Sequence, residues 1–147
     1  MFKLLLVAVV SGCSVIFGVK MRSYYAKRAK LWDELYKFAN FFKEEVAFKK
    51  TLIDDIYNKF NLSQELVSIK DGNYDNLPFD ESEIAFISEF FDSLGRLGLT
   101  LEIENVDRYV ENIKIKCNDS KKVSESKGKT SVKLGVLVGV GIFVVLA

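Results

Sequence analysis

Two uncharged apolar runs bracket a stretch in which apolar residues recur every three or four positions. The first run, Leu4–Val19, holds 16 residues without a charge. As a helix it would span about 24 Å, and Lys3 and Lys20 at its ends can snorkel to cover the remaining bilayer thickness. The second run, Leu134–Ala147, holds 14 residues. At about 21 Å it is short for a hydrocarbon core of about 30 Å. It can still span where the bilayer thins, and a shallow or re-entrant placement is the rival reading. Spanning is preferred, because an apolar tail after a polar stretch has no core to join.

Between the runs, Leu31, Leu35, Phe38, Phe42, Val46, Ile53, Ile56 and Phe60 form one helical stripe. Trp32, Phe41, Phe48 and Leu52 widen it, which suits burial in a bundle better than a two-stranded coiled coil. Neither proline nor glycine interrupts residues 19–71, so the first helix is predicted to run from the membrane to about Asn58. Asn61 and Ser63 offer a break and a cap for a short helix over Leu62–Ile69. Residues 71–76 and Pro78 read as a turn. Asp80 with Glu83 three residues on predicts a capping box opening a helix that carries Ile84, Ile87, Phe90, Phe91 and Leu94. Gly95 and Gly98 would end it. Thr100 is the expected cap of a last helix carrying Val106, Tyr109, Val110, Ile113 and Cys117. Asp119–Ser131, rich in Lys, Ser and Gly, reads as a linker or frayed extension. The expected fold is all-α: a small helical bundle between an N-terminal and a C-terminal membrane helix. Its segments would be 1–19 (first membrane helix), 20–120 (helical domain), 121–133 (basic linker) and 134–147 (second membrane segment).

Charge changes this picture more than composition does. The chain has 147 residues and a net charge of +1, yet residues 20–30 carry +5, residues 31–113 carry −10 and residues 114–133 carry +5. An acidic centre between basic collars argues against nucleic-acid binding, which needs a basic stripe on the folded part. By the positive-inside rule both collars face the cytoplasm, leaving residues 20–133 inside and both chain ends outside. Lys20, Arg22, Tyr24, Tyr25 and Trp32 are the expected membrane-interface residues, and lipid the expected contact. A signal peptide competes for the first run, since Val10-Ser11-Gly12-Cys13 resembles a lipoprotein cleavage box. Against it, the apolar run continues past Cys13, and most of the positive charge lies after the run rather than before it. Cys13 in lipid and Cys117 in a reducing compartment would not pair, and each reads as a small packing residue.

Candidate chemistry is sparse. The chain has no histidine, which removes Ser-His-Asp and Cys-His catalysis and His-ligated metal sites. Asp71-x-Asn73-x-Asp75 opens like a calcium loop, but Asn76 stands where glycine is needed and Ser82 where a bidentate glutamate is needed. Glu44-Glu45 and Asp54-Asp55 read as solvated helix faces, because adjacent helical residues diverge by about 100°. Nucleotide-binding glycine patterns and a nucleophile elbow are lacking, so neither an enzyme nor a cofactor is expected. Gly135-x-x-x-Gly139 and Ala8-x-x-x-Gly12 are candidate helix-packing faces in the membrane segments. The acidic domain suits a basic cytoplasmic partner as well as it suits ordinary solubility.

Three stretches carry a family resemblance. The first is the anchor followed by Lys20–Tyr57, with Leu35, Phe38, Glu44 and Ile53 in register. The second is Phe90-x-x-x-Leu94-Gly95, followed by Leu99, Asn105 and Val106. The third is the tail Leu134-Gly135-Val136-Leu137-x-Gly139. End to end, the chain resembles the stage III sporulation protein AB family of endospore-forming bacteria. Leu97, Gly98 and Glu102 depart from the family's usual turn residues, so capping is expected to pass to Thr100. The resemblance implies a component of the channel, or feeding-tube, complex between mother cell and forespore. It implies a soluble domain similar to the helical cytoplasmic domain of the type II secretion platform protein, anchored in the mother-cell membrane around the forespore. The implied partners are other channel proteins, including a secretion-type ATPase, stage III sporulation protein AA. Arg96 is a candidate partner-binding residue. The alternative is a membrane-anchored coiled-coil signalling or regulatory protein, dimerising through residues 31–60.

Overall fold

A computed structural model of the chain describes residues 1–49 and 51–146, without the Leu146 side chain. Its described residues form five α-helices and no strand: α1 Phe2–Glu44, α2 Ile53–Lys59, α3 Gln64–Lys70, α4 Glu81–Ser93 and α5 Leu99–Leu146. A π-helical turn, Glu45–Lys49, continues α1. The all-α expectation holds. Two compact units result, one from Met1–Ala29 with Ser120–Ala147, the other from Lys30–Asp119.

In the Lys30–Asp119 unit, the expected stripe faces inward. Leu31, Leu35, Phe38, Phe42, Val46 and Ile56 are buried with Leu66, Ile69, Ile87, Phe90, Val106 and Ile113. Phe38 is the hub, its ring within 6.4 Å of those of Phe42, Tyr57, Phe60, Phe90 and Phe91. Offset and edge contacts of this kind stabilise beyond the area they bury. Cys117 is buried as a small packing residue. Asp80 caps α4 as predicted: it accepts from the Glu83 N–H at 2.8 Å, and the Glu83 carboxylate accepts from the Asp80 N–H at 3.1 Å.

Three expectations need correction here. The first helix does not reach Asn58. It ends in the π turn, where the Thr51 N–H donates to the Glu45 carbonyl at 3.3 Å. Phe48 and Leu52, assigned to the stripe, flank this break and are 84% and 74% exposed; Lys50, between them, lies outside the described residues. Ser63 begins α3 without a side-chain cap, its own N–H donating instead to the Glu34 carboxylate. Thr100 is not the cap of the last helix, since it lies exposed inside the first turn of α5.

The other unit is an antiparallel pair of helical segments. The Ser11 hydroxyl donates to the Gly139 carbonyl at 3.1 Å, and the Ser14 hydroxyl donates to the Gly135 carbonyl at 3.2 Å. A Cβ on Gly18 would lie 2.7 Å from the Ser131 carbonyl oxygen, and one on Gly135 would lie 2.7 Å from that of Ser14. Small residues thus let the backbones approach closely, as in membrane helix pairs. Leu5, Phe17, Leu137 and Val144 point outward and are exposed. The basic linker expected at 121–133 is instead part of α5, which runs unbroken from Leu99 to Leu146. The last residue of the second apolar run, Ala147, lies outside the described residues.

Candidate functional site

Most of the sequence-derived site residues fall in the two-segment unit. Lys20, Arg22 and Tyr24 are exposed and Tyr25 is half-buried, with the two tyrosine rings in an edge contact at 5.5 Å. Trp32 is not an interface residue. It is fully buried, edge-on to Phe79 at 5.4 Å, because it sits on the inward stripe beside Leu31 and Leu35. Of the packing residues, Gly135 and Gly139 face Ser14 and Ser11, while Gly12 meets nothing within 4 Å. The α1 side of the seam runs through Ser11, Ser14 and Gly18. Ala8 lines a groove with Ser11, Gly139 and Val140.

In the Lys30–Asp119 unit, the turn between α4 and α5 builds the other candidate surface. Gly95 adopts φ +82°, a left-handed conformation open to glycine and costly for other residues. The Glu102 carboxylate, 3% exposed, then reaches back and accepts from the Gly95 N–H at 2.9 Å and the Leu97 N–H at 3.2 Å. This carboxylate, in the first turn of α5, ties donors of the turn before the helix, where Thr100 was expected to cap the helix itself. It fixes the turn that carries Arg96 and Leu97 to the surface.

The opposite wall is fixed by Glu45, which is 2% exposed. Its carboxylate accepts from Lys49 Nζ at 2.6 Å, from Thr51 Oγ1 at 2.8 Å and from Lys59 Nζ at 3.0 Å. Hydrogen bonds from Lys49, then Lys59 and Thr51, lower its pKa to about 2 against a smaller opposing desolvation. Reading Glu44-Glu45 as one solvated pair was therefore half right: Glu44 is exposed and Glu45 is not. The sequence does hold a signal for it, since Glu45 continues the Leu35, Phe38, Phe42 spacing and precedes Lys49 by four.

Between these walls lies a groove of about 470 Å³, lined by Phe42, Val46, Leu52, Ile53, Leu97 and Leu99 among others. Leu52, Leu97 and Leu99 are exposed at its rim, and Arg96 is exposed in the adjoining turn. It lies at the end of this unit opposite Lys30 and Asp119, as the Asp33–Cys117 and Lys43–Asp107 contacts along α1 and α5 establish. The rim is thus an exposed apolar patch edged by a cation.

The family described as stage III sporulation protein AB matches residues 65–147, more than half of the chain. The chain belongs to the stage III sporulation protein AB family. The match takes in α3 from Glu65 on, α4, the Glu102-tied turn and the whole of α5, but stops short of the first 64 residues, where the end-to-end resemblance had extended. Neither curated proteins nor solved structures return a match. Family membership gives the chain a sporulation-related role. With two helices long and apolar enough to cross a bilayer, it is a membrane protein.

Proposed function

We propose that this chain is a non-enzymatic, membrane-anchored platform of the channel complex between mother cell and forespore, and that its leucine-rimmed groove docks the secretion-type ATPase, stage III sporulation protein AA. The observation that carries this is the exposed rim of Leu52, Leu97 and Leu99 beside Arg96. Burying a leucine contributes about 1.5–3 kcal/mol, so such a rim is costly to leave in water. Two buried carboxylates hold it in shape. The basic collars favour a helical unit in the mother-cell cytoplasm with both chain ends across the membrane. The coiled-coil alternative is weaker, because the stripe it would use to dimerise is taken up by the unit's own core.

The test is co-purification of the ATPase with the full chain in lipid nanodiscs. Leu97→Asp and Arg96→Glu are each expected to reduce recovery by roughly tenfold, as loss of an interface hot spot does. Recovery unchanged in both variants would refute the rim. Absence of the ATPase from the wild-type sample would refute the partner. Topology is tested separately: protease added to sealed, right-side-out vesicles should leave the Lys30–Asp119 unit intact.

A further inference from the structure

We infer that the outward face of α4 is a docking groove for a basic amphipathic helix of a partner protein. Net charge alone suits a basic partner or plain solubility; the placement of the charge separates the two. Residues 71–95 hold seven acidic residues and no lysine or arginine. A surface that only needs to be soluble intersperses the two signs, and crowding like charges costs free energy unless a cation joins them. Three of these acids converge. Glu81, Glu89 and Asp92 line one groove of about 670 Å³, floored by Ile84 and Ala85. Among the described residues, no lysine or arginine pairs with any of the three. Glu89 also lines a second groove with Arg108, so the end carboxylates, Glu81 and Asp92, carry the argument. Asp92 lies in the last turn of α4, where a carboxylate opposes the helix dipole and no basic residue offsets it. Local rules are broken in this way at functional surfaces.

The spacing selects a helix as the occupant. Glu81, Ala85, Ser88 and Asp92 follow one another by four, three and four, so they share one face of α4. The end carboxylates are 11 residues apart, about 16.5 Å or three turns. A second helix laid along α4 sets cations against both ends over that length, with a small apolar residue between them on Ala85 and half-buried Ile84. Tyr74 bounds the groove from the loop before α4. Its hydroxyl shares a hydrogen bond with that of Ser88 at 3.3 Å, and its ring is about half exposed. An exposed ring beside carboxylates receives an arginine by cation–π contact. This groove shares no lining residue with the leucine-rimmed one, so the inference stands whether or not the ATPase docks there.

The test uses the full chain in phosphatidylcholine nanodiscs and a dye-labelled helical peptide of alanine and leucine. The peptide carries arginines at i, i+4, i+7 and i+11, and binding is read by anisotropy at about 50 mM salt. Wild type is expected to bind it and not a matched peptide with glutamates in place of the arginines. Glu81→Gln with Asp92→Asn should weaken binding about fivefold, as loss of two exposed ion pairs does. Ala85→Lys, which sets a cation on the exposed floor, should weaken it about tenfold. Glu104→Gln with Glu111→Gln removes the same charge from exposed positions of α5 and should change binding less than about twofold. Asp92→Asn alone should weaken binding with thermal stability unchanged or raised, which a purely structural role would not produce. No binding by wild type, or equal loss in the two double variants, overturns the groove, the acids then acting only as a diffuse field. Self-association of wild type that Ala85→Lys abolishes would assign the face to a second copy and overturn the partner.

Discussion

Replacing Glu102 by Gln changes one atom type and tests how the rim is held. The carboxylate accepts two backbone N–H groups, from Gly95 and Leu97, and hydrogen bonds to a charged group each contribute about 1.5–3 kcal/mol. Glutamine keeps one acceptor oxygen but turns an NH₂ towards the second donor, so one bond is lost and the other becomes neutral. Gly95 and Leu97 are exposed, and water can reach the abandoned N–H, which puts the cost at the low end, about 2 kcal/mol. Glu102→Ala admits water to both donors and should cost about the same. The only tryptophan, Trp32, is fully buried, so urea unfolding of the full chain in micelles can be followed by its fluorescence. The midpoint should fall with the slope unchanged. Thr100→Ala should stay within about 0.5 kcal/mol of wild type, as surface substitutions do. If Glu102→Gln proves neutral while Thr100→Ala is costly, the carboxylate tie is wrong and the hydroxyl is the cap.

Glu45 makes stability pH-dependent. Its pKa is 4.5 unperturbed and about 2 when folded, so its contribution is full above about pH 4.5 and is lost as pH falls towards 2; Glu45→Gln should flatten the acid limb of the urea midpoint against pH. Phe38→Ala should cost about 3–5 kcal/mol by the same fluorescence assay, because the site lies at the centre of five rings, and half-buried Phe41→Ala should cost clearly less. In the two-segment unit, Gly18→Ile and Gly135→Ile should cause aggregation in micelles at lower temperature than wild type, since each added Cβ meets a carbonyl oxygen. Gly12→Ile should not, because nothing lies within 4 Å of that glycine.

What the chain announces through periodicity, it adopts. The stripe from Leu31 to Ile56 is buried, and the Asp80–Glu83 capping box forms, because both depend on residues three or four apart on one helix. The break at Glu45–Lys49 is not announced by proline or glycine. It depends on Lys59, brought from the next helix to the Glu45 carboxylate, and that is a tertiary contact. Trp32 could be read as interfacial or as core, and only the rings of Phe79 and Phe86 decide it. The seam within the chain passes Gly12 by for a similar reason. An apolar helix presents small residues on several faces, and the partner's register selects Ser11, Ser14 and Gly18. Asp119–Ser131 looked like a linker by composition, yet Gly128 is buried against Arg22 within a continuous helix.

The two glutamates explain how a small unit can afford an exposed apolar groove. Left to hydrophobic packing alone, Leu52, Leu97 and Leu99 would fold inward over Phe42 and Val46, and the rim would close. Each wall is instead fixed by a carboxylate that satisfies donors from neighbouring backbone or side chains, Glu102 through Gly95 and Leu97, Glu45 through Lys49, Thr51 and Lys59. A groove already in its final shape loses little conformational freedom when a partner arrives, so more of the contact energy survives as affinity. Glu102 is buried and lines the groove beneath the exposed leucine rim. If the rim is the docking face, Glu102→Gln should therefore weaken docking through its shape, with the leucines intact, whereas Leu97→Asp acts on the contact directly. Loss of binding with little loss of stability in Leu97→Asp, against loss of both in Glu102→Gln, would separate the scaffold from the contact it presents.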